Sequence, residues 1–481
     1  MAEISTEFGE QHYHDQVVRT LVLFSLFWAI VGMAAGVFAA AELVFPALNF
    51  ELPWLSFGRV RTLHTNVTIF GFGVSALIGT AFYSVQRTSH VPLFAPRLAW
   101  FVCWAWQVII ALGGVSLLSG HTSGKEYAEL EWPFDIAITV VWVCLAIVFF
   151  GTIARRRIKP IYVSNWFYGA FIIVIAMVHI FNSLAIPATL TKSYSLFAGS
   201  QDAVLQWWYG HNAVGFLLTG GFLGMMYYFL PKHAERPIWS YRLSIVAFWA
   251  FTYSYIWAGP HHLHFSAIPE WVQSLAVVMS VILLAPSWAT MINGIMTVSG
   301  AWKKLRTDPA LKFIVLSLAF YGLATFEGPM LAIRSVNVFS HFTDWTIGHV
   351  HSGALGWNAM ITFGTFYYLV PRLVGAELYS VKLANVHFWM ALAGTMLYVL
   401  AMWGAGVTQG LLWLSLDEFG ELMYSFTDIM ASMSAYYLLR LVAGLVFLTG
   451  ALLMAWNLYM TVRGRQTVKI RPPKTTSIEA I

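Results

Sequence analysis

Long apolar runs separated by short polar turns make up most of the chain. A helix needs about 20 mainly apolar residues to cross the ~30 Å hydrocarbon core of a bilayer. Runs of suitable length predict twelve transmembrane helices, at residues 17–44, 61–85, 97–119, 135–154, 162–188, 204–230, 241–265, 270–300, 311–334, 345–371, 382–408 and 435–462. We therefore expect an all-α integral membrane protein. Its single transmembrane domain spans residues 17–463, between an N-terminal segment (1–16) and a C-terminal tail (464–481).

The distribution of charge predicts how the chain is oriented. Charged residues make up only 10% of the sequence, against roughly 25% in soluble domains, which excludes a soluble protein. Basic residues gather in the turns after the even-numbered helices, as in the run Arg155–Lys159, whereas acidic residues gather in the other turns. The positive-inside rule then places both termini in the cytoplasm. The net charge of +5 reports this topology, so we expect contact with lipid and none with nucleic acid.

Six histidines lie near the outer ends of four predicted helices: His64, His211, His261, His262, His349 and His351. With a rise of 1.5 Å per residue, all six rings fall within roughly 10 Å of the outer interface. Polar side chains inside a membrane are costly and usually functional, and neutral imidazole is a common ligand of iron and copper. The pattern predicts metal sites. His179 and His387, each alone in its helix, are better explained as hydrogen-bonded packing residues.

The spacing of these histidines predicts separate sites. His349 and His351 leave one helix on nearly opposite faces, because successive residues turn by ~100°, and they can therefore bind two different metals. His261 and His262 follow Pro260, whose ring disrupts the local helix and allows adjacent side chains to converge. With His211 they offer three nitrogen ligands and leave one position open for a small molecule.

The motifs around these residues resemble the heme–copper oxidase superfamily along essentially the whole chain. They are RTLHTN (61–66), WWYGHNAVG (207–215), YIWAGPHHLHF (255–265) and GHVHSG (348–353). The resemblance implies the subunit I fold with two b-type hemes, one low-spin and one high-spin, and one copper ion. It assigns the low-spin heme to His64 and His351, the high-spin heme to His349, and the copper to His211, His261 and His262.

Gly215, one helical turn after His211, indicates which branch the chain resembles. Mitochondrial-type oxidases have a copper-linked Tyr at this position and nitric oxide reductases a Glu. The pattern is similar to cbb3-type cytochrome c oxidases, in which the catalytic tyrosine comes from the following helix. Tyr255 occupies that position, six residues before the histidine pair, and the resemblance implies a covalent link to His211. It also implies that Glu327, in ATFEGPM (324–330), hydrogen-bonds His349.

Further residues are expected to support the cofactors and the transfer of protons. Heme propionates need cations, for which Arg61 and Arg334 are candidates, and the family suggests Glu126 as a candidate calcium ligand. A proton pathway similar to the single one of this family would use Tyr227, Ser240, Tyr241, Ser244, Asn293, Thr297 and Tyr321. Taken singly, each of these polar residues is better explained by a hydrogen bond between helices.

The predicted function is the reduction of O2 to water in a bacterial cytoplasmic (inner) membrane, coupled to proton uptake and pumping, with the metal centres near the outer side. The chain has no CxxCH motif for covalent heme c. Electrons would therefore come from separate heme c-bearing subunits and a cytochrome c donor. Nitric oxide reduction is the alternative among enzymes. A secondary transporter could also have twelve helices, but it would not gather six histidines at one depth.

Overall fold

The computed structural model of the chain describes residues 13–464 and is mainly helical. The predicted segment 1–16 and tail 464–481 therefore lie largely outside the described residues. The α-helices are α1 Asp15–Val44, α2 Phe57–Asn66, α3 Ser75–Ser89, α4 Pro96–Leu118, α5 Trp132–Ala154, α6 Val163–Asn182, α7 Gly199–Asn212, α8 Phe222–Ala234, α9 Tyr241–Tyr255, α10 Glu270–Ile282, α11 Leu284–Thr297, α12 Trp302–Thr307, α13 Pro309–Ala332, α14 Arg334–Ser340, α15 Asp344–His351, α16 Met360–Val374, α17 Val381–Trp413, α18 Phe426–Ser432 and α19 Ser434–Arg463.

Short elements fill the turns. Three 3₁₀-helices cover Pro46–Asn49, Pro53–Leu55 and Gly259–Leu263. Strands β1 (Ala185–Thr189) and β2 (Lys192–Ser195) pair as an antiparallel hairpin. This hairpin corrects the predicted span 162–188, because α6 ends at Asn182 and the next apolar residues belong to β1. The residues of β1 are mostly exposed. Their apolar composition looks like a continuation of α6 because the sequence alone does not show the turn between the two elements.

Ten helical segments within residues 13–464 are long and apolar enough to cross a membrane. The predicted count of twelve is therefore not confirmed. The two remaining predicted spans, 241–265 and 345–371, have identifiable irregularities. The first contains α9, which has 15 residues, followed by the 3₁₀ turn at 259–263. The second is a continuous helical run from α15 to α16 that carries His349, His351 and other polar residues.

Three π-helical segments interrupt the long helices, at Val67–Val74, Ala213–Gly221 and Ser352–Ala359. Each begins within three residues after a predicted metal ligand: His64, His211 or His351. A π turn widens the helix locally and is found frequently at functional sites. The three segments thus mark the depth at which the predicted ligands lie.

One helix–turn–helix unit occurs twice in the chain. Residues 222–249 align without a gap with residues 362–389, a shift of 140 positions. The first helix of each unit ends at a left-handed residue, Glu235 (φ 56°) or Gly375 (φ 67°). The second begins at a serine N-cap, Ser240 or Ser380, whose hydroxyl accepts a hydrogen bond from the amide three residues later. The same shift relates His211 to His351.

Buried aromatic rings fill the interior of the bundle between these units. Phe167 stacks on Tyr227 with ring centroids 5.2 Å apart, and Phe313 contacts Phe363 at 6.0 Å. The outward helix faces carry exposed apolar side chains such as Trp249, as expected where lipid replaces water. The described residues therefore form a bundle that encloses the six histidines singled out by the sequence.

Candidate metal centre

His211, His261 and His262 converge in the interior of the bundle. One ring nitrogen of each lies within 4.8 Å of the others. Nδ1 of His211 is 3.4 Å from Nε2 of His262, which is 3.2 Å from Nε2 of His261. Nitrogens bonded at 2.0–2.1 Å to one tetrahedral ion lie roughly 3.3 Å apart. The three rings thus fit one metal ion.

The local backbone accounts for this convergence. His211 is in the last turn of α7, and the histidine pair lies in the 3₁₀ turn Gly259–Leu263. That turn packs directly against α7, because a Cβ on Gly259 would lie 2.5 Å from the carbonyl oxygen of Trp207. Glycine at this position is required for the close approach, which brings the ligands of two separate segments together.

The donor set suits copper with an open coordination position. Imidazole is a favoured ligand of copper, and three protein ligands leave a fourth position open to a substrate. Nδ1 of His211 faces the other two rings, whereas its Nε2 is buried without a hydrogen-bond partner among the described residues. Such an orphan atom is unusual in a folded interior, and it points away from the metal position.

Tyr255 approaches the copper histidine from α9. Its ring centroid is 5.0 Å from that of His211, with an angle of 30° between the rings. A Cβ on Gly215 would lie 2.2 Å from both Cδ1 and Cε1 of Tyr255, far inside van der Waals contact. Tyr255 therefore fills the space that any side chain at position 215 would occupy.

His64 of α2 and His351 of α15 form a second pair. Their rings are nearly parallel (10°), with centroids 6.3 Å apart. Nδ1 of His64 donates to the carbonyl of Gly32 at 2.7 Å, and Nδ1 of His351 donates to Ile347 at 2.8 Å. Both Nε2 atoms remain for a metal. Two opposed metal–nitrogen bonds of ~2 Å place the ring centres roughly 6 Å apart, so the pair fits an axially ligated heme iron.

His349, predicted for the high-spin heme, is held by Glu327 of α13. Its Nδ1 lies 3.2 Å from Oε2 of Glu327, while Oε1 accepts a hydrogen bond from Nε1 of Trp345 at 2.7 Å. The carboxylate is almost fully buried. Because Nδ1 donates to a carboxylate, Nε2 of His349 is the nitrogen left for iron, which fits the predicted proximal role.

The predicted outer-side cations each pair with a carboxylate. Arg61 forms a 2.5 Å ion pair with Glu126, and Arg334 forms a 2.6 Å ion pair with Glu270. Both arginine side chains are partly exposed, so they are accessible to propionates. Glu126, the candidate calcium ligand, contacts Arg61 in this structure, and its metal role stays a prediction.

Several residues at these sites had not been predicted. Arg440 of α19 lies 3.7 Å from Asp344, both side chains being largely buried, and its Nε has no partner among the described residues. It also lies over Tyr398, which stacks on His351 at 4.3 Å. A single arginine inside the apolar span 435–462 was the signal that could have indicated it.

Glu129, in the turn before α5, was also missed. Its Oε2 accepts a hydrogen bond from Asn66 at 3.0 Å, and Asn66 lies two residues after His64. Burial raises the pKa of Glu129 above its ordinary value, because desolvation disfavours the charged carboxylate. Glu129 is thus bonded to α2, the helix that carries His64.

The predicted proton pathway is assembled in part. Nδ2 of Asn293 donates to Ser244 at 2.9 Å and approaches the Tyr227 hydroxyl at 3.5 Å. Ser240 bonds Asn293 through its backbone, and the hydroxyl of Thr297 accepts from the amide of Trp239.

The two remaining pathway tyrosines have different environments. Tyr321 is buried, with a hydroxyl that has no partner in the described chain. Tyr241 is 40% exposed and packs against Trp166. Tyr321 therefore lies in the interior with the other polar groups, and Tyr241 lies on the outward face.

The sequence matches a known family over most of its length. The family model for cytochrome c and quinol oxidase polypeptide I matches residues 16–446, so the chain belongs to that family. It is 59% identical to the cbb3-type cytochrome c oxidase subunit CcoN1 of Stutzerimonas stutzeri, over 94% of this chain and 95% of that protein. It is 55% identical to cytochrome c oxidase subunit 1 of Rhodobacter capsulatus, over 98% of this chain and 88% of that protein.

A solved structure supports the architecture independently. A heme-copper terminal oxidase dimer determined by cryo-EM superposes with a TM-score of 0.76, covering 95% of this chain and 85% of that one. At 18% sequence identity, this likeness concerns the fold. Together the matches confirm the relationship predicted from the histidine motifs.

Proposed function

We propose that this chain is the catalytic subunit of a cbb3-type cytochrome c oxidase and reduces O2 to water in a bacterial inner membrane. The observation that carries the proposal is the position of Tyr255 beside the copper-type cluster His211–His261–His262, in the space left by Gly215. The relatives named above support it. When bound, two b-type hemes and one copper ion would deliver the electrons that break the O–O bond.

Tyr255 supplies a proton and an electron from a fixed position. Reduction of O2 takes four of each, and a phenol next to the metals can donate both without diffusing. The unpartnered Nε2 of His211 faces away from the metal position, which favours a covalent bond from this nitrogen to the Tyr255 ring. Formation of that bond removes one hydrogen from each ring as two protons and two electrons, which O2, the substrate of the proposed reaction, would accept.

His349 would hold the high-spin heme iron through Nε2, and Glu327 would set the electron-donating strength of its imidazole. A carboxylate that accepts the Nδ1 proton makes the imidazole a stronger electron donor. The buried Trp345–Glu327 hydrogen bond keeps the carboxylate in position. His64 and His351 would hold the low-spin heme. Arg61, Arg334 and Arg440 would be available to bind the propionates of the two hemes.

Protons reach Tyr255 from the cytoplasmic side. Ser244, Asn293 and Tyr227 form a buried hydrogen-bonded group, and Tyr321 lies further inward. Ser240 and Thr297 both bond Asn293 and hold the group in place. Tyr241, the first residue of α9, remains part of the proposed pathway.

The membrane arrangement follows from the same sequence pattern. Both termini are cytoplasmic, the chain crosses the bilayer twelve times, and the metal centres lie near the outer side. Separate heme c-bearing subunits receive electrons from a cytochrome c donor and pass them to this chain. Proton pumping accompanies turnover, and Glu126 binds calcium next to Arg61.

An optical spectrum with metal analysis tests the proposal. The purified complex should show a Soret band, pyridine hemochrome of heme b, and one copper for each pair of b hemes. Non-heme iron in place of copper would favour nitric oxide reduction, although Gly215 lacks the carboxylate that this alternative expects at that position. A preparation without heme would exclude both enzymes and leave a transporter.

A further inference from the structure

Each ligand of the three-histidine cluster is oriented by a different neighbour. His262 stacks on Trp207, with ring centroids 4.1 Å apart and an angle of 19°. His211 is supported by its helix and by Tyr255. His261 lies in the short 3₁₀ turn, and its Nδ1 is 2.7 Å from the hydroxyl of Ser280 on α10. That serine is fully buried.

The direction of this hydrogen bond is determined by a second one. The hydroxyl of Ser280 donates to the carbonyl oxygen of Ala276 at 2.6 Å, and a serine has a single proton to donate. Its oxygen must therefore accept from His261, so Nδ1 of His261 carries the proton. A neutral imidazole protonated at Nδ1 has its lone pair on Nε2, which is the nitrogen that faces His262.

We infer that Ser280 is a positioning residue that fixes the tautomer and orientation of His261, so that this histidine binds copper through Nε2. The inference rests on the proposed function, since it requires a copper enzyme. Without the Ser280 acceptor, the proton of His261 is free to move to Nε2 and block the metal. The ring also loses the hydrogen bond that fixes its rotation.

Two matched pairs of proteins test this role in the purified holoenzyme. Wild type is compared with Ser280→Ala, and Ser280→Thr with Ser280→Val, which have the same shape and differ by the hydroxyl. We expect the Ala and Val variants to lose copper to a Cu(I) chelator at concentrations roughly 10- to 100-fold lower, with both hemes retained. The Thr variant should hold copper like wild type.

A spectroscopic readout separates positioning from simple packing. Carbon monoxide photolysed from the heme at low temperature and trapped on copper should show a shifted C–O stretch in Ser280→Val and a normal one in Ser280→Thr. Ser287→Ala, on the adjoining α11, is the control and should keep its copper. Retention of copper and a normal stretch in Ser280→Val would overturn the inference.

The remaining outcomes are also decisive. Loss of both hemes in every Ser280 variant, including Thr, would contradict the inference, since a hydroxyl at this position should suffice. A wild-type complex that contains hemes but no copper would instead contradict the proposed function and leave the Ser280 hydrogen bond without its metal.

Discussion

The two halves of the internal repeat have the same backbone but different chemistry. In the first unit, residues 222–249, the helices join at Ser240, and Asn293 of α11 bonds the backbone of Ser240 in both directions at 2.9 and 3.0 Å. In the second unit, residues 362–389, Asn457 of α19 bonds the backbone of Ser380 in the same way, at 3.0 and 2.8 Å. Four residues after each asparagine, the hydroxyl of Thr297 or Thr461 accepts a hydrogen bond from a backbone amide of the turn. This shared arrangement holds the turn in shape in both units.

The differences lie on the interior face of each unit. Asn293 has a hydroxyl partner in Ser244, whereas the equivalent position in the second unit is Ala384. There the Tyr367 hydroxyl bonds Nδ1 of His387 at 3.0 Å, and Nε2 of His387 has no partner among the described residues. The polar groups of the second unit thus end in a ring enclosed by aromatic side chains. The comparison teaches that one common frame can enclose two different polar interiors, and under the proposed function only the first unit, in which Ser244 extends the hydrogen-bonded group, would transfer protons.

The largest difference should appear at His211 and His351, which the repeat makes equivalent. His211→Ala should lose copper and O2 reduction while both hemes remain, because it removes one of three copper ligands. His351→Ala should lose the low-spin heme and keep the heme that binds carbon monoxide. Metal analysis and carbon monoxide difference spectra provide the measurement. Loss of the same component in both variants would show that the ligand assignment is wrong.

Tyr255 and Thr395 are the next equivalent pair. Tyr255→Phe should keep hemes and copper but lower O2 consumption at least ~100-fold, the usual scale for a lost proton donor. Thr395→Val should leave turnover unchanged, because the buried Thr395 hydroxyl has no hydrogen-bond partner in the described chain. Peptide mass analysis of active enzyme adds a direct check. Recovery of the Tyr255 and His211 peptides separately, at unmodified masses, would rule out the covalent link.

Substitution of the equivalent residues Tyr227 and Tyr367 separates a role in proton transfer from a role in stability. Tyr227→Phe should slow O2 consumption by less than the ~100-fold expected for loss of the proton donor itself, because its hydroxyl only joins the Asn293 group to the interior. Tyr367→Phe should leave turnover unchanged but lower the free energy of unfolding by ~1–3 kcal/mol, since His387 loses its partner. Oxygen consumption and thermal unfolding of the same preparations separate the two effects. Equal slowing by both variants would mean that the second unit also conducts protons.

The smallest effects should come from Thr297→Val and Thr461→Val. Each removes the acceptor of one backbone amide, so each should lower the free energy of unfolding by ~0.5–1.5 kcal/mol. Turnover should be affected alike in the two variants. If Thr297→Val alone slows proton uptake, measured with a pH indicator outside sealed vesicles, Thr297 belongs to the proton pathway and not to the structural turn.

The depth of the histidines could be predicted because helix geometry converts sequence position into distance along the membrane normal. His64 and His351 come together for this reason, although they lie on different helices. The proximity of Tyr255 to His211 could not be predicted from helix geometry alone. The sequence permitted it through Gly215, while Pro260 made ideal helix angles unreliable, so the family resemblance had to supply the prediction.

Contacts that depend on helix rotation were not predictable from the pattern. Ser280 looks like any small residue of an apolar helix, and its contact with His261 depends on how α10 packs against the 3₁₀ turn. The same holds for Ser244 and Ala384, whose difference becomes meaningful only once the repeat is recognised. By contrast, the overrun of the predicted span 162–188 came from composition, since apolar residues in an exposed hairpin look like membrane residues.

The three π-helical segments determine how this protein would respond to changes in chain length. Each holds an additional residue per turn between a ligand histidine and the helix that anchors it in the membrane. An in-frame deletion of one codon within residues 213–221 would restore α-helical geometry. Because the residue removed is the surplus one of the π turn, His211 would keep its rotation relative to α8, whereas the same deletion within α8 itself would turn His211 by ~100° and move it by ~1.5 Å relative to the helix beyond the deletion. Shortening the chain by one residue would therefore be tolerated better within a π-helical segment than in the α-helix that follows it.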